Sequence, residues 1–145
     1  MKKLHYAAFT YMIAGLASGL FYREFTKAND FTADSQLSVV HTHLLALGML
    51  FFLTVLALDK LFSLTGSRMF TAFFWTYNSG LALTAAMMIL SGIFTLQGAT
   101  PSAAIAGISG LGHIGLTAGL VLLFITLGKR VSGKETTTAE LTPAN

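Results

Sequence analysis

Four long apolar runs leave this chain one class of fold. Leu4 to Tyr22, Gln36 to Leu58, Met69 to Leu96 and Ala103 to Leu127 contain no Asp, Glu, Lys or Arg. A run of about 20 apolar residues is what the hydrocarbon core of a bilayer requires. Lipid offers no partner to backbone N–H and C=O groups, so each run must be a helix. The rest of the chain agrees. Only 10% of its 145 residues are charged, against about 25% in an ordinary soluble domain. The expected fold is an all-α membrane protein, a four-transmembrane-helix bundle over 1–131. A polar, threonine-rich tail at 132–145 is expected to be disordered.

The breaks between the runs are short and polar. The first, from Arg23 to Ser35, holds Arg23, Glu24, Lys27, Asn29, Asp30 and Asp34. The second contains Thr65-Gly66-Ser67. The third is Gln97-Gly98-Ala99-Thr100-Pro101-Ser102, with Pro101 or Ser102 starting the next helix. Lysine and arginine then set the orientation. Lys2, Lys3, Lys60, Arg68, Lys129, Arg130 and Lys134 fall on one side, and Arg23 and Lys27 on the other. Both termini are therefore expected in the cytoplasm, and the location is a bacterial cytoplasmic (inner) membrane crossed four times. The first run starts like a signal peptide, after Lys2-Lys3. It ends in Phe21-Tyr22-Arg23-Glu24 without a small-residue cleavage site, and is expected to stay as a helix. The net charge of +3 is dispersed at run ends, so no nucleic-acid partner is expected.

There is no cysteine. That excludes disulfides, thiolate metal sites, iron–sulfur clusters and thioether-linked haem. His5, His41, His43 and His113 remain as metal-ligand candidates. An ionisable group inside a membrane is costly and marks a functional site by default. His41 and His43 lie roughly 8–11 Å along their helix from Gln36, and His113 roughly 15 Å along from Ala103, at 1.5 Å per residue. His5 sits at the mouth of the first run, beside Lys2 and Lys3. Residues i and i+2 of a helix stand about 200° apart. His41 and His43 thus serve two sites on opposite flanks, not one.

Gly15 and Gly19, Gly115 and Gly119, Ala103 and Gly107, and Ala106 and Gly110 have the small-xxx-small spacing that lets helices approach closely. The same glycines could leave room for a flat cofactor, and Gly112-His113-Ile114-Gly115 combines a ligand with that room. Trp75, Tyr77 and Asn78 make a polar-aromatic patch, expected to anchor the third helix at the interface. Met49, Met87 and Met88 are expected to pack. Four short helices bury few faces, so a homo-oligomer is expected.

The stretch Thr32-Ala33-Asp34-Ser35-Gln36-Leu37-Ser38-Val39-Val40-His41-Thr42-His43-Leu44-Leu45-Ala46-Leu47-Gly48 resembles a helix of the haem-copper oxidase catalytic subunit, closest to the nitric oxide reductases and C-type oxidases. The shared pattern is Gln-Leu-(Ser/Thr)-Val-x-His-x-His-Leu-x-x-x-Gly. The resemblance implies that His41 binds a high-spin haem and His43 a low-spin haem. It also implies a haem-copper-oxidase-like arc of four helices, three copies of which would make a homotrimer of twelve. The chain lacks the further histidines that hold copper in that family and the His–Tyr pair beside them, so the likeness stops short of a dinuclear centre. The whole chain also resembles a small family of four-span bacterial membrane proteins of unknown function.

On that resemblance the expected cofactor is haem b, with bis-histidine ligation and a role in electron transfer or in redox or gas sensing. Two pairings are open: His41 of one copy with His43 of the next, or His43 with His113 within a chain. Arg23 is the candidate partner of a haem propionate. The expected partners are a second copy, the lipid bilayer, and a redox partner or quinol. The alternatives are a small transporter or channel with a metal-binding site, and an accessory subunit of a larger membrane complex.

Overall fold

The computed structural model describes the backbone of residues 1–140 and the side chains of 1–132. It is all-helical. The helices are α1 (Lys2–Ala28), α2 (Leu37–Phe62), α3 (Arg68–Leu96) and α4 (Ala103–Glu140). All four are long and apolar enough to cross a membrane, α4 over Ala103–Ser132, so the protein is a multi-pass membrane protein. Of the tail expected to be disordered, 132–140 continues α4 as helix, and 141–145 lies outside the described residues.

α1 outruns its apolar segment by more than a turn. Arg23, Glu24 and Lys27 are helical, because good helix formers outside the lipid continue the backbone ladder. The helix stops at Asn29, and Asp30 follows with φ at +46°. α2 ends on Ser63 in the left-handed region (φ +51°). The turn beyond it uses Gly66 at φ +109°, a conformation that glycine adopts at little cost. Ser67 then caps α3 by accepting the N–H of Phe70 at 3.0 Å. This loop is anchored by Asp59, which is buried. It accepts the backbone N–H of Thr65 at 2.6 Å and the Thr65 hydroxyl, and lies 3.6 Å from the Met1 amino group.

α3 is the centre of the bundle and runs antiparallel to α2 and α4. At the basic end all four helices meet in one cluster. It contains Leu4 and Ala8 of α1, Phe52 and Val55 of α2, Phe73, Tyr77 and Leu81 of α3, and Leu116 and Leu123 of α4. At the opposite end a second cluster joins Leu37, Val40 and Leu44 of α2 to Ala85 and Met88 of α3, with no α4 residue in it. There α2 and α4 both lean on α3 but not on each other. Small residues make the α3–α4 seam. A Cβ at Gly80 would stand 2.7 Å from the Leu116 nitrogen, and one at Gly115 3.2 Å from the Gly80 Cα. The expected close packing holds at Gly15, Gly115 and Gly119 but not at Gly107 and Gly110, which meet nothing within 4 Å, and Gly80 on α3 is a packing glycine that the sequence spacing did not single out.

One departure from a regular helix is not visible in the sequence. Leu44–Leu50 of α2 is a π-helix, beginning directly after His43. Such segments often sit beside functional sites. Two contacts accompany it. The Tyr77 hydroxyl donates to the Leu47 carbonyl at 3.0 Å, and Gly48 admits the Tyr11 ring where a Cβ would collide. Tyr77 is 1% exposed. Tyr77→Phe is expected to cost about 1 kcal/mol through that lost bond, read as a lower unfolding midpoint in detergent with the helix content unchanged.

The patch expected at Trp75, Tyr77 and Asn78 is not one patch. Trp75 is 61% exposed, whereas Tyr77 is core. Asn78 accepts the Tyr11 hydroxyl at 2.9 Å and donates to the Phe74 carbonyl at 2.7 Å. Residues two apart on a helix point to different sides and residues three apart are neighbours, so Tyr77 is lost to the core while Trp75 and Asn78 stay together on the groove side of α3. Met88 is buried in the second cluster, as expected of a packing residue.

Candidate functional site

His41 and His43 occupy the regular α-helical turn before the π segment and point to different neighbours. His41 faces α1. Its Cβ and Cγ lie 3.6 and 3.7 Å from where a Cβ at Gly19 would be, and its carbonyl 3.5 Å from one at Gly15. The Gly15/Gly19 notch is therefore what makes room for this imidazole. The His41 Nδ1 is buried without a hydrogen-bond partner.

His43 lies on the other flank, half-buried. Its Nδ1 is 2.9 Å from the Val39 carbonyl. His113 on α4 is exposed on the bundle surface but has the same tether, with Nδ1 3.0 Å from the Ser109 carbonyl. A carbonyl can only accept, so in both rings Nδ1 carries a proton, and in the neutral imidazole Nε2 keeps its lone pair. A metal-binding histidine has this form: one ring nitrogen is tethered to the backbone, which fixes orientation and tautomer, and the other is free. The His113 carbonyl in turn accepts the Thr117 hydroxyl at 2.9 Å.

α3 measures the depth of these two rings. On its α2 side, Gly92 meets Leu37, Ala85 and Met88 pack with Val40 and Leu44, and Tyr77 reaches Leu47. His43 is therefore level with the turn of α3 around Thr84. On the α4 side, Gly112 meets Thr84, and Gly80 meets Leu116. His113 is level with the same turn. The sequence count separates the two histidines by about 4–5 Å along their helices; the register of the bundle removes that offset, because α2 and α4 do not start at the same height. Both stand beside core residues, Val40 and Leu44 around one and Leu116 one turn from the other, in the half where α2 and α4 part. Thr84 on α3 is fully buried, and its hydroxyl has no partner.

Gly107 and Gly110, two turns and one turn before His113, have nothing within 4 Å of a Cβ position. Gly110 leaves open surface beside that histidine, about 60° round the helix from it, whereas Gly107 lies about 120° away. The residues present fit a porphyrin on three counts: Nε2 atoms at one depth, a tethered Nδ1 behind each, and open surface at Gly110 beside His113. They fit a bare metal ion less well. Such an ion takes three or four protein ligands, and no group of three His, Cys, Asp or Glu exists among the described residues. A porphyrin brings four nitrogens of its own.

The other candidates lie apart. His5 is exposed at the basic end, its ring 5.7 Å from that of Tyr6. Arg23 is on the same face of α1 as Gly15 and Gly19, one turn beyond Gly19. It pairs with Glu24 at 3.8 Å on the exposed surface. Sequence reasoning did not find the groove of about 590 Å³ between α1 and α3, lined by Lys3, Tyr6, Thr10, Phe74, Trp75 and Asn78 among others. Its lining residues come from two distant segments, and no local motif marks it.

A family of proteins of unknown function, DUF2871, matches over residues 1–130. This chain belongs to that family. The match covers all four membrane helices and the three intramembrane histidines, so the site described above is part of the family's shared length. No curated protein and no solved structure matches the chain.

Proposed function

We propose that this DUF2871 protein is an integral membrane haem b protein with bis-histidine ligation, working in electron transfer or redox sensing. The observation that carries the reading is the pair His43 and His113, level with one turn of α3, each with Nδ1 tethered and Nε2 free. His43 and His113 would hold the iron. The Val39 and Ser109 carbonyls keep the two rings oriented and make each Nε2 a better donor. Gly110 leaves open surface beside His113. Apolar walls and lipid keep water out. Haem b, when bound, would supply one-electron transfer, and ligation by both His43 and His113 would favour that over gas chemistry.

The finer parts belong to the same proposal. The resemblance of the His41–His43 helix to the haem-copper oxidase family supports a homotrimer of three arcs. That assembly would cover outward apolar side chains such as Leu16, Ile114 and Phe124. In the other pairing, His41 of one copy with His43 of the next, His41 would have to turn out of the Gly15/Gly19 notch of its own chain, and Arg23 is the cation for a propionate. Both termini are cytoplasmic in this reading, and a lipid-soluble quinol or a protein partner exchanges electrons with the site.

The test is the colour of the protein. Material purified in mild detergent from haem-replete bacterial cells is expected to be red, to give the pyridine haemochrome of haem b, and to show a low-spin six-coordinate spectrum on reduction. A colourless preparation that also fails to take up added haemin would overturn the reading.

A further inference from the structure

At the basic end, the first turn of α3 and the last membrane turn of α4 lie side by side. Ser67, Arg68 and Met69 from one and Thr126, Lys129 and Arg130 from the other line an open cleft of about 470 Å³. In the sequence these cations are scattered at run ends, as orientation requires. The fold gathers three of them into one concavity. All three are exposed. Among the described residues the ion pairs are Met1 with Asp59 and Arg23 with Glu24, so none of the described carboxylates neutralises the cleft. The start of α3 adds to the positive field. Ser67 satisfies the Phe70 N–H, but the N–H groups before it have no acceptor within the helix, and the helix dipole is positive there.

Three like charges and a helix N-terminus around one cleft call for an anion. The position of the cleft says which kind. It lies where two membrane helices leave the apolar layer, at headgroup level, and basic pockets between such helices recognise anionic lipid headgroups. Met69 and the apolar turns of α4 continue the wall toward the lipid. We infer that this cleft binds the phosphate headgroup of an anionic phospholipid, with Arg68 and Arg130 gripping phosphate oxygens and Lys129 adding charge. The inference is independent of the haem reading.

Reconstitution into nanodiscs of phosphatidylcholine containing a minor share of phosphatidylglycerol tests it, with native mass spectrometry counting retained lipid. Wild type is expected to retain phosphatidylglycerol in preference to phosphatidylcholine. The triple variant R68Q/K129Q/R130Q is expected to weaken that retention on the order of 100-fold, and R68Q or R130Q alone about fivefold, at the usual strength of one basic residue near an anionic surface. The single variants carry the test if the triple variant does not accumulate. K2Q/K3Q removes charge at the same membrane surface but outside the cleft, and is expected to change nothing. An equal loss in K2Q/K3Q, no preference over phosphatidylcholine, or displacement of the lipid by millimolar inorganic phosphate would overturn the proposal, the last assigning the cleft to soluble phosphate.

Discussion

Replacing His43 by alanine is expected to abolish the low-spin spectrum of the purified protein, and His113→Ala is expected to do the same. Removing even a partner behind a ligand costs about 10–100-fold in metal affinity, and removing the ligand itself costs more. Haem content measured by pyridine haemochrome should therefore fall by at least roughly tenfold. The iron remaining in either variant should be five-coordinate and high-spin, because one Nε2 is left. His5→Ala is expected to leave the spectrum as it was, since that ring is exposed at the basic end. His41→Ala separates the two pairings. With iron held by His43 and His113 of one chain, the low-spin band survives His41→Ala. Loss of the band in His41→Ala together with its survival in His113→Ala would move the pair to His41 and His43 of neighbouring copies.

The second large effect is on folding. A Cβ at Gly80 would lie 2.7 Å from the Leu116 nitrogen, 2.8 Å from the Gly112 oxygen and 2.9 Å from the Gly115 carbonyl carbon. All three are backbone atoms of a packed helix and cannot turn aside as a side chain would. Gly80→Ala is expected to cost about 3 kcal/mol, the upper part of the range for overpacking, and Gly80→Leu to prevent stable folding. The measurement is the unfolding midpoint in mixed detergent micelles. Gly107→Ala and Gly110→Ala are the contrast. Both positions face open space, so alanine there is expected to be neutral or to stabilise by up to about 1 kcal/mol through helix propensity. Equal destabilisation at Gly80 and Gly110 would sink the assignment of the α3–α4 seam.

These predictions separate what the chain announces from what it conceals. The four membrane helices were legible because lipid permits nothing else for long runs without charge. The opposite flanks of His41 and His43 were legible because two residues on a helix turn through a fixed angle, and the structure sends one ring to the Gly15/Gly19 notch and the other away from it. The glycines were ambiguous. Gly112 and Gly110 stand two residues apart in one helix, yet Gly112 packs against Thr84 and Gly110 meets nothing. Only the partner helix decides which face of α4 is covered. The patch at Trp75, Tyr77 and Asn78 lost Tyr77 to the core for the same reason, while Trp75 and Asn78, three residues apart, stayed on one side of α3.

The amino-acid order by itself determined the class of protein and the number and rough limits of its membrane helices, because each follows from local chemistry in lipid. The tertiary structure alone decided that His43 and His113 share a depth, that α2 carries a π turn directly after its histidines, and that Arg68 joins Lys129 and Arg130 in one cleft. Those facts depend on the relative heights and facing sides of helices far apart in the chain. Packing against α3 sets them, and no short stretch of sequence encodes it.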